Sequence, residues 1–311
     1  MGFNSWTTHL ILASNKEKAF KKDALFGLGG RQSVFLTPEQ IQELAILYGF
    51  SKESLEGLFD LDATDNDTLR TRRSITDASY IDNLLGMKTF SFDATSYENA
   101  EVILDLNKPF DSQMSTQQLN RFDGLFDGGC LDNVWNPAQS QMNLASLLHS
   151  GGRIVNWVSA SNWPGAFCMV SCEWLLSFYA INGFKNIRVY WFHPISDDST
   201  WPNLSAEVWR FNPNFTRRAD YDPYRAALKD SSHPGFALAT AEVAVSKLPT
   251  EWEMPMQSHY LGEGYRDWRL EYGHGPNLPF AFELAQEKLL PRTAPIDSDH
   301  YEFCGILRGF A

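Results

Sequence analysis

Three aspartates stand where acidic side chains could act on one ligand. Asp93 follows the strand-like run Thr89 to Phe92, Asp105 follows Val102 to Leu104, and Asp127 follows Gly124 to Phe126. In an open parallel sheet, ligands bind beyond the carboxyl ends of the strands, where loops and helix N-termini converge with unsatisfied N–H groups. A carboxylate after the second strand can accept both hydroxyls of a ribose, and one after the third can accept an exocyclic amine. Asp93 and Asp105 fit those two jobs. Acids also gather at such turns for a second reason, because they cap helix N-termini.

Glycines are the other candidate chemistry. The segment from Ala24 to Gln32 is apolar at its start and then carries Gly27, Gly29 and Gly30, followed by Arg31. Glycine lets backbone approach a ligand closely at a helix N-terminus. Arg31 could meet an anionic group or simply lie solvated on the surface. The histidines are scattered, and His193 alone stands at a predicted strand end; a structural role suits it.

The elements that must position these residues are legible in their punctuation. Thr37-Pro38-Glu39-Gln40 starts a helix that carries Ile41, Leu44, Ala45 and Tyr48 on one face and stops at Gly49. Asn136-Pro137-Ala138-Gln139 starts another with Met142, Ala145 and Leu148, ending at Gly151-Gly152. A third begins at Ser171, turns Trp174, Leu175, Phe178 and Tyr179 inward, and ends at Asn182-Gly183. Between them lie short, nearly continuous apolar or β-prone runs, with Ile154 to Val158 and Ile187 to Phe192 completing the five, as expected of strands covered on both faces. The predicted fold class is therefore α/β: a Rossmann-like, mostly parallel sheet with helices on both faces, plus an aromatic- and Pro-rich C-terminal extension. Three regions are expected: residues 1–75 with the first strand, glycine loop and helix; a core over 76–194; and an extension over 195–311 that caps the crevice or makes a dimer contact.

Composition narrows the function classes. With 311 residues, 43% hydrophobic and 21% charged, the chain can bury a full core. The net charge of −12 repels a phosphate backbone, and basic residues cluster only briefly, as at Arg70, Arg72 and Arg73, so no nucleic-acid partner is expected. No membrane partner is expected either, since no apolar run reaches the roughly 18 residues a span needs and the first residues form no signal core; a cytoplasmic location follows. The four cysteines suggest neither a disulfide framework nor a zinc site. Ten tryptophans, among them Trp201, Trp209, Trp252 and Trp268, serve core packing or stack on sugars and other flat ligands.

The wording of several segments is more specific than their spacing. Phe90-Ser-Phe-Asp-Ala-Thr-Ser-Tyr-Glu-Asn-Ala100, Val102-Ile-Leu-Asp-Leu-Asn-Lys-Pro109, Phe122-Asp-Gly-Leu-Phe-Asp-Gly-Gly-Cys-Leu-Asp-Asn-Val134 and Leu147-Leu-His-Ser-Gly-Gly-Arg-Ile-Val155 resemble, in order, segments of class I S-adenosylmethionine-dependent methyltransferases. The stretch from Ser171 to Phe184 before Ile187 to Phe192 is similar to that family's last helix and strand. The resemblance implies S-adenosyl-L-methionine as cofactor and a small-molecule or glycan acceptor. It implies that Asp93 holds the ribose, that Asp105 with Leu106 holds the adenine, and that Gly27, Gly29 and Gly30 form the cofactor loop. Asp127, Gly128 and Gly129 would line the methionine end. Asp132 and Asn133 stand where relatives often carry Glu-His, so Asp132 or Asp127 is the candidate general base, a carboxylate whose pKa partial burial would raise; Asp132 and Asn133 could equally cap the turn before the helix at Asn136. The chain departs from the family in the glycine loop, which lacks the acid that usually closes the first strand. A fold of this type that has lost the cofactor and serves as a binding or scaffold protein is the alternative.

Overall fold

The computed structural model describes residues 2–56, 75–96, 99–113, 121–161, 163–195, 198–211, 234–255 and 301–310. The basic cluster at 70–73, Trp268 and most of the predicted extension lie outside them. The first strand of the main sheet is β2, Leu25–Gly29. It pairs in parallel with β4, Lys88–Asp93, on one side and with β6, Phe122–Asp127, on the other. Beyond β4 lies β5, Val102–Ile103, and beyond β6 lies β7, Leu148–Ser161, both again parallel. Numbered along the chain, these five strands stand in the order third, second, first, fourth, fifth. Strand order therefore reverses between β2 and β6, which is the switch point of a doubly wound sheet. The Rossmann-like α/β architecture expected from the sequence is present.

The sheet then continues antiparallel. β10, Gly235–Glu242, is inserted between β7 and β8, Lys185–Pro194, and β9, Ala206–Phe211, and β11, Tyr301–Leu307, complete nine strands among the described residues. Strands of this sheet come from all three stretches of the chain. β2 from the first 75 residues is the middle of the five parallel strands, and three strands from beyond residue 195 are hydrogen-bonded into the same sheet. A strand's N–H and C=O groups are satisfied best by a neighbouring strand, and the partners can lie far along the chain.

The helices start where their capping residues stand. Thr37 caps α2, Pro38–Leu47, with a reciprocal bond to Gln40; Asn136 caps α5, Pro137–Leu147; Ser171 caps α6, Cys172–Ile181. Two others frame the rest of the sheet: α1, Ser5–Lys16, capped by Asn4, and α4, Asp77–Leu85, capped by Thr76. A short α3, Lys52–Leu55, follows α2. Side chains of α5 and α6 pack with Leu125, Ile154 and Val158 on one face, whereas α1, α2 and α4 pack with Phe126, Val155 and Trp157 on the other. Neighbouring residues of one strand, such as Leu125 and Phe126, thus enter opposite cores, as strand alternation requires. A two-residue β1, Gly2–Phe3, pairs with β3, Ser33–Val34, and lays the N-terminal segment beside the chain leaving β2, with Phe3 stacked on Phe126 and Tyr80.

Candidate functional site

One rung of the sheet places the site. Phe92, Gly29, Asp127 and Asn156 are register partners across β4, β2, β6 and β7. The chain crosses the carboxyl edge just past that rung, so Asp93, Gly30 and Gly128 emerge together on both sides of the switch point. Gly30 adopts a left-handed conformation, φ +79°, which favours glycine. A side chain there would lie 3.1 Å from the Cys130 sulfur and 3.6 Å from Asp93 Oδ2. Acid and glycine turn lie side by side at the carboxyl edge, where Arg31 N–H reaches Asp93 Oδ2 at 3.4 Å.

Asp93 is half-buried, with Oδ1 accepting from Thr95 N–H at 3.1 Å and Oδ2 taking only a long bond of 3.4 Å from Arg31 N–H. It keeps acceptor capacity at the edge. Asp105 reaches the same edge one strand further out, because Ile103 pairs with Asp93. Its Oδ1 already accepts from the N–H and side-chain amide of Asn107, and Lys108 Nζ lies 3.0 Å from its Oδ2. The Asn107 N–H in particular, and then Lys108, hold its carboxyl below the usual range. Leu106 beside it is buried in the core with Phe92 and Phe110 rather than presented at the rim.

Asp127 and Asp132 have turned the other way. Asp127 is fully buried; Oδ1 accepts from Cys130 N–H at 2.7 Å and Oδ2 from Asn156 Nδ2 at 2.8 Å. Asn156 in turn accepts from the Tyr179 hydroxyl, which takes a bond from Gln141 Nε2 at 3.1 Å. Burial pushes the Asp127 carboxyl up to about 7 despite these donors. Asp132, also fully buried, accepts from Ser159 N–H at 2.7 Å and from Asn133 Nδ2 at 3.1 Å, and burial pushes it up to about 6. The raised pKa expected of a base is therefore present, but both carboxylates are closed off from solvent and each oxygen already holds a donor from the protein. Both carboxylates tie loops to strand β7 or to the core, which is the structural alternative to catalysis. Asp132 holds a strand end rather than the helix at Asn136, and its carbonyl also accepts from Phe167 N–H at 2.7 Å.

Two more expectations give way, at Gly27 and Arg31, and one, at His193, does not. Gly27 sits inside β2 opposite Phe90 and Leu125, because the strand runs on to Gly29 and the turn begins only at Gly30. Arg31 is neither solvated nor held for an anion: its guanidinium grips Asp77 through two bonds of 2.6 and 3.0 Å, and Asp77 Oδ2 also accepts Gln32 N–H at 2.7 Å. His193 is buried opposite Glu207, in keeping with a structural role.

Sequence reasoning passed over Gln32. Its Nε2 donates to the carbonyls of Gly29 at 2.8 Å and Gly30 at 3.2 Å, while its Oε1 is buried and has no hydrogen-bond partner among the described residues. A Cβ at Gly128 would lie 2.0 Å from that oxygen. A glutamine two residues past a glycine turn carries no motif signal. The aromatic side of the rim is more conspicuous: Trp135, after β6, is 85% exposed, and Phe167, after β7, is 73% exposed, their rings 6.5 Å apart. Trp163 and Trp201 meet at 4.8 Å near the start of β10.

No family model matches the chain, and no curated protein matches it in sequence. Among solved structures, similarity of shape is found to the phosphoethanolamine N-methyltransferase 2 of Haemonchus contortus in complex with S-adenosyl-L-methionine, with 10% identity, a TM-score of 0.36 and coverage of 76% of this chain and 52% of that one. The chain thus spans about half the length of that protein. The cyclase SpnF matches over 78% of this chain and 82% of its own, with 14% identity and a TM-score of 0.37. A SAM-dependent methyltransferase from Archaeoglobus fulgidus matches over 77% and 95%, with 10% identity and a TM-score of 0.37. What this chain does is read from its own residues.

Proposed function

We propose that the chain is an S-adenosylmethionine-dependent methyltransferase acting on a small-molecule or glycan acceptor. The observation that carries this reading is the meeting, at the switch point, of a left-handed glycine with a half-buried carboxylate on the neighbouring strand. That pairing suits a nucleoside ligand: Asp93 accepts from the two ribose hydroxyls, Gly30 lets backbone approach the ligand, and Asp105 reaches the adenine edge if it trades the N–H of Asn107 for a ligand amine. The bound group supplies an activated methyl on a sulfonium centre. The protein then has to align an acceptor with that methyl and exclude water, which needs no dedicated base. Trp135 and Phe167 on the loops after β6 and β7 provide an apolar rim on which a sugar or flat ring can rest. Cytoplasmic location and homodimer formation belong to the same reading; among the described residues no helix is long and apolar enough to cross a membrane.

Calorimetry with S-adenosylmethionine and S-adenosylhomocysteine tests it. Binding is expected, and Asp93→Ala should weaken it at least tenfold by removing a charged acceptor from two hydroxyls. Absence of heat with both ligands would sink the proposal. A second reading, a binding or scaffold protein on the same fold, is favoured by one feature: Gln32 and the Cys130 thiol, which donates to the Gly29 carbonyl, rest directly on the glycine turn.

A further inference from the structure

We propose that the amino edge of the sheet, opposite the crevice, is a docking surface for an anionic lipid bilayer. The net charge of −12 averages over this edge and hides it. The loop from the end of α1 into β2, residues 16–23, carries Lys16, Lys18, Lys21 and Lys22, all exposed, against Glu17 and Asp23. Glu17 is bound by Arg188 and so offsets a buried cation rather than a lysine. The lysines do not hang on a slack chain. Phe20 between them is buried edge-on against Phe26, Lys18 N–H and Ala19 N–H donate to Asn15 O at 2.8 Å and Ser14 O at 3.0 Å, and the stem of Lys22 lies along Gly86 at the end of α4. Lys88, exposed at the start of β4, stands beside them, its N–H donating to Ala24 O at 2.8 Å. The dipole of α1 accounts for Lys16 in its last turn but not for Lys21 and Lys22 beyond it.

Apolar side chains on the same edge say what the partner is. α2 ends beside α1, with Lys16 Nζ 6.0 Å from the centre of the Tyr48 ring, and there Ile46 and Leu47 are 46% and 51% exposed. Two aliphatic side chains flanked by lysines enter the headgroup layer while the ammonium groups stay in water beside lipid phosphates and carboxylates. Such docking needs no spanning segment. Lysine, a hydrated point charge on a flexible stem, suits a fluid plane of headgroups better than a fixed protein partner, which favours arginine and a packed core. The acids at the crevice do not oppose it. The six residues of β6, at about 3.3 Å each, set the two edges about 20 Å apart, beyond the screening length of roughly 8 Å at physiological salt.

Co-sedimentation with vesicles tests it, using phosphatidylcholine alone and phosphatidylcholine mixed with phosphatidylserine. The chain should pellet with the mixed vesicles only, and lose that binding as salt is raised. Lys18→Glu with Lys22→Glu should weaken it at least tenfold, whereas Lys18→Arg with Lys22→Arg, which keeps the charge, should hold it within about twofold. Ile46→Ser with Leu47→Ser should weaken it severalfold; these sites are exposed, so the fold stands, which a thermal melt checks. No pelleting with anionic vesicles, equal pelleting with neutral ones, or Lys→Glu variants that bind as the wild type does would overturn the proposal. So would binding to polyglutamate in solution that ignores Ile46 and Leu47, the mark of an acidic protein partner.

Discussion

Asp127 shows how a residue can satisfy a chemical expectation and still belong to the fold. A carboxyl pushed up to about 7 resembles a general base, yet its cause is burial beneath Asn156 and the turn at Cys130. Unfolded, such a group titrates near 4. Between about pH 4 and pH 7 the unfolded chain gives up this proton while the folded chain keeps it. Its contribution to stability is therefore full below about pH 4 and is lost as pH rises through about 7. Asp127→Asn cannot titrate and keeps one of the two accepting positions, so it starts from a lower but pH-independent contribution. Urea midpoints across this range should show the wild type losing ground to the variant as pH rises; parallel curves would contradict the assignment. The aspartates themselves were visible in the sequence as acids at strand ends, but which of them face the crevice was not. Asp93 and Asp127 have the same local context, and only the packing of β7 and α6 beneath Asp127 separates them.

At the scale of elements, the link between the turn after β2 and the first residue of α4 is the interaction on which the site's geometry depends. Asp77 holds both the Arg31 guanidinium and the Gln32 N–H, and its side chain is almost completely buried. Burial raises its pKa even with Arg31 beside it, so desolvation outweighs the ion pair's attraction. Removing one partner alone strands a buried charge. Asp77→Ala should cost about 3 kcal/mol, and Asp77→Ala with Arg31→Met much less, a non-additivity that denaturant unfolding of the double-mutant cycle would reveal. If the single and double variants are equally unstable, the pair is not coupled as described. Helix starts at Thr37, Asn136 and Ser171 were legible because capping is a contact over three residues. The Asp77 to Arg31 pair spans 46 positions and left no such local sign.

For the whole molecule, the antiparallel half of the sheet decides what counts as one unit. β11 closes the edge along β9, and the chain after it is fastened by bonds from Phe310 N–H to Asn203 O at 2.8 Å and from Gly309 N–H to Ser205 Oγ at 2.7 Å. The N-terminal helix is tied to the same region, with Ser5 N–H donating to Asn203 Oδ1 at 3.0 Å and Trp6 Nε1 to Leu204 O at 2.5 Å. Ending the chain after residue 300 would expose β9 as a free edge. A fall in the thermal midpoint on the order of 5 °C, with self-association on sizing, is the expected outcome. An unchanged midpoint would mean that the last strand is an ornament on a sheet complete without it.

The amino-acid sequence by itself determined the local elements, the parallel order of the strands that feed the crevice, and the approximate rim on which Asp93, Asp105 and Gly30 lie. Capping, strand period and turn preference act over a few residues and are written in them directly. Tertiary structure alone decided that Asp127 and Asp132 face inward, that Arg31 is spent on Asp77, that Gln32 rests on the glycine turn, and that strands beyond residue 195 complete the sheet. Each of these depends on which distant backbone and side-chain groups come to lie alongside, and hydrogen-bond partners chosen across the fold have no fixed spacing along the chain.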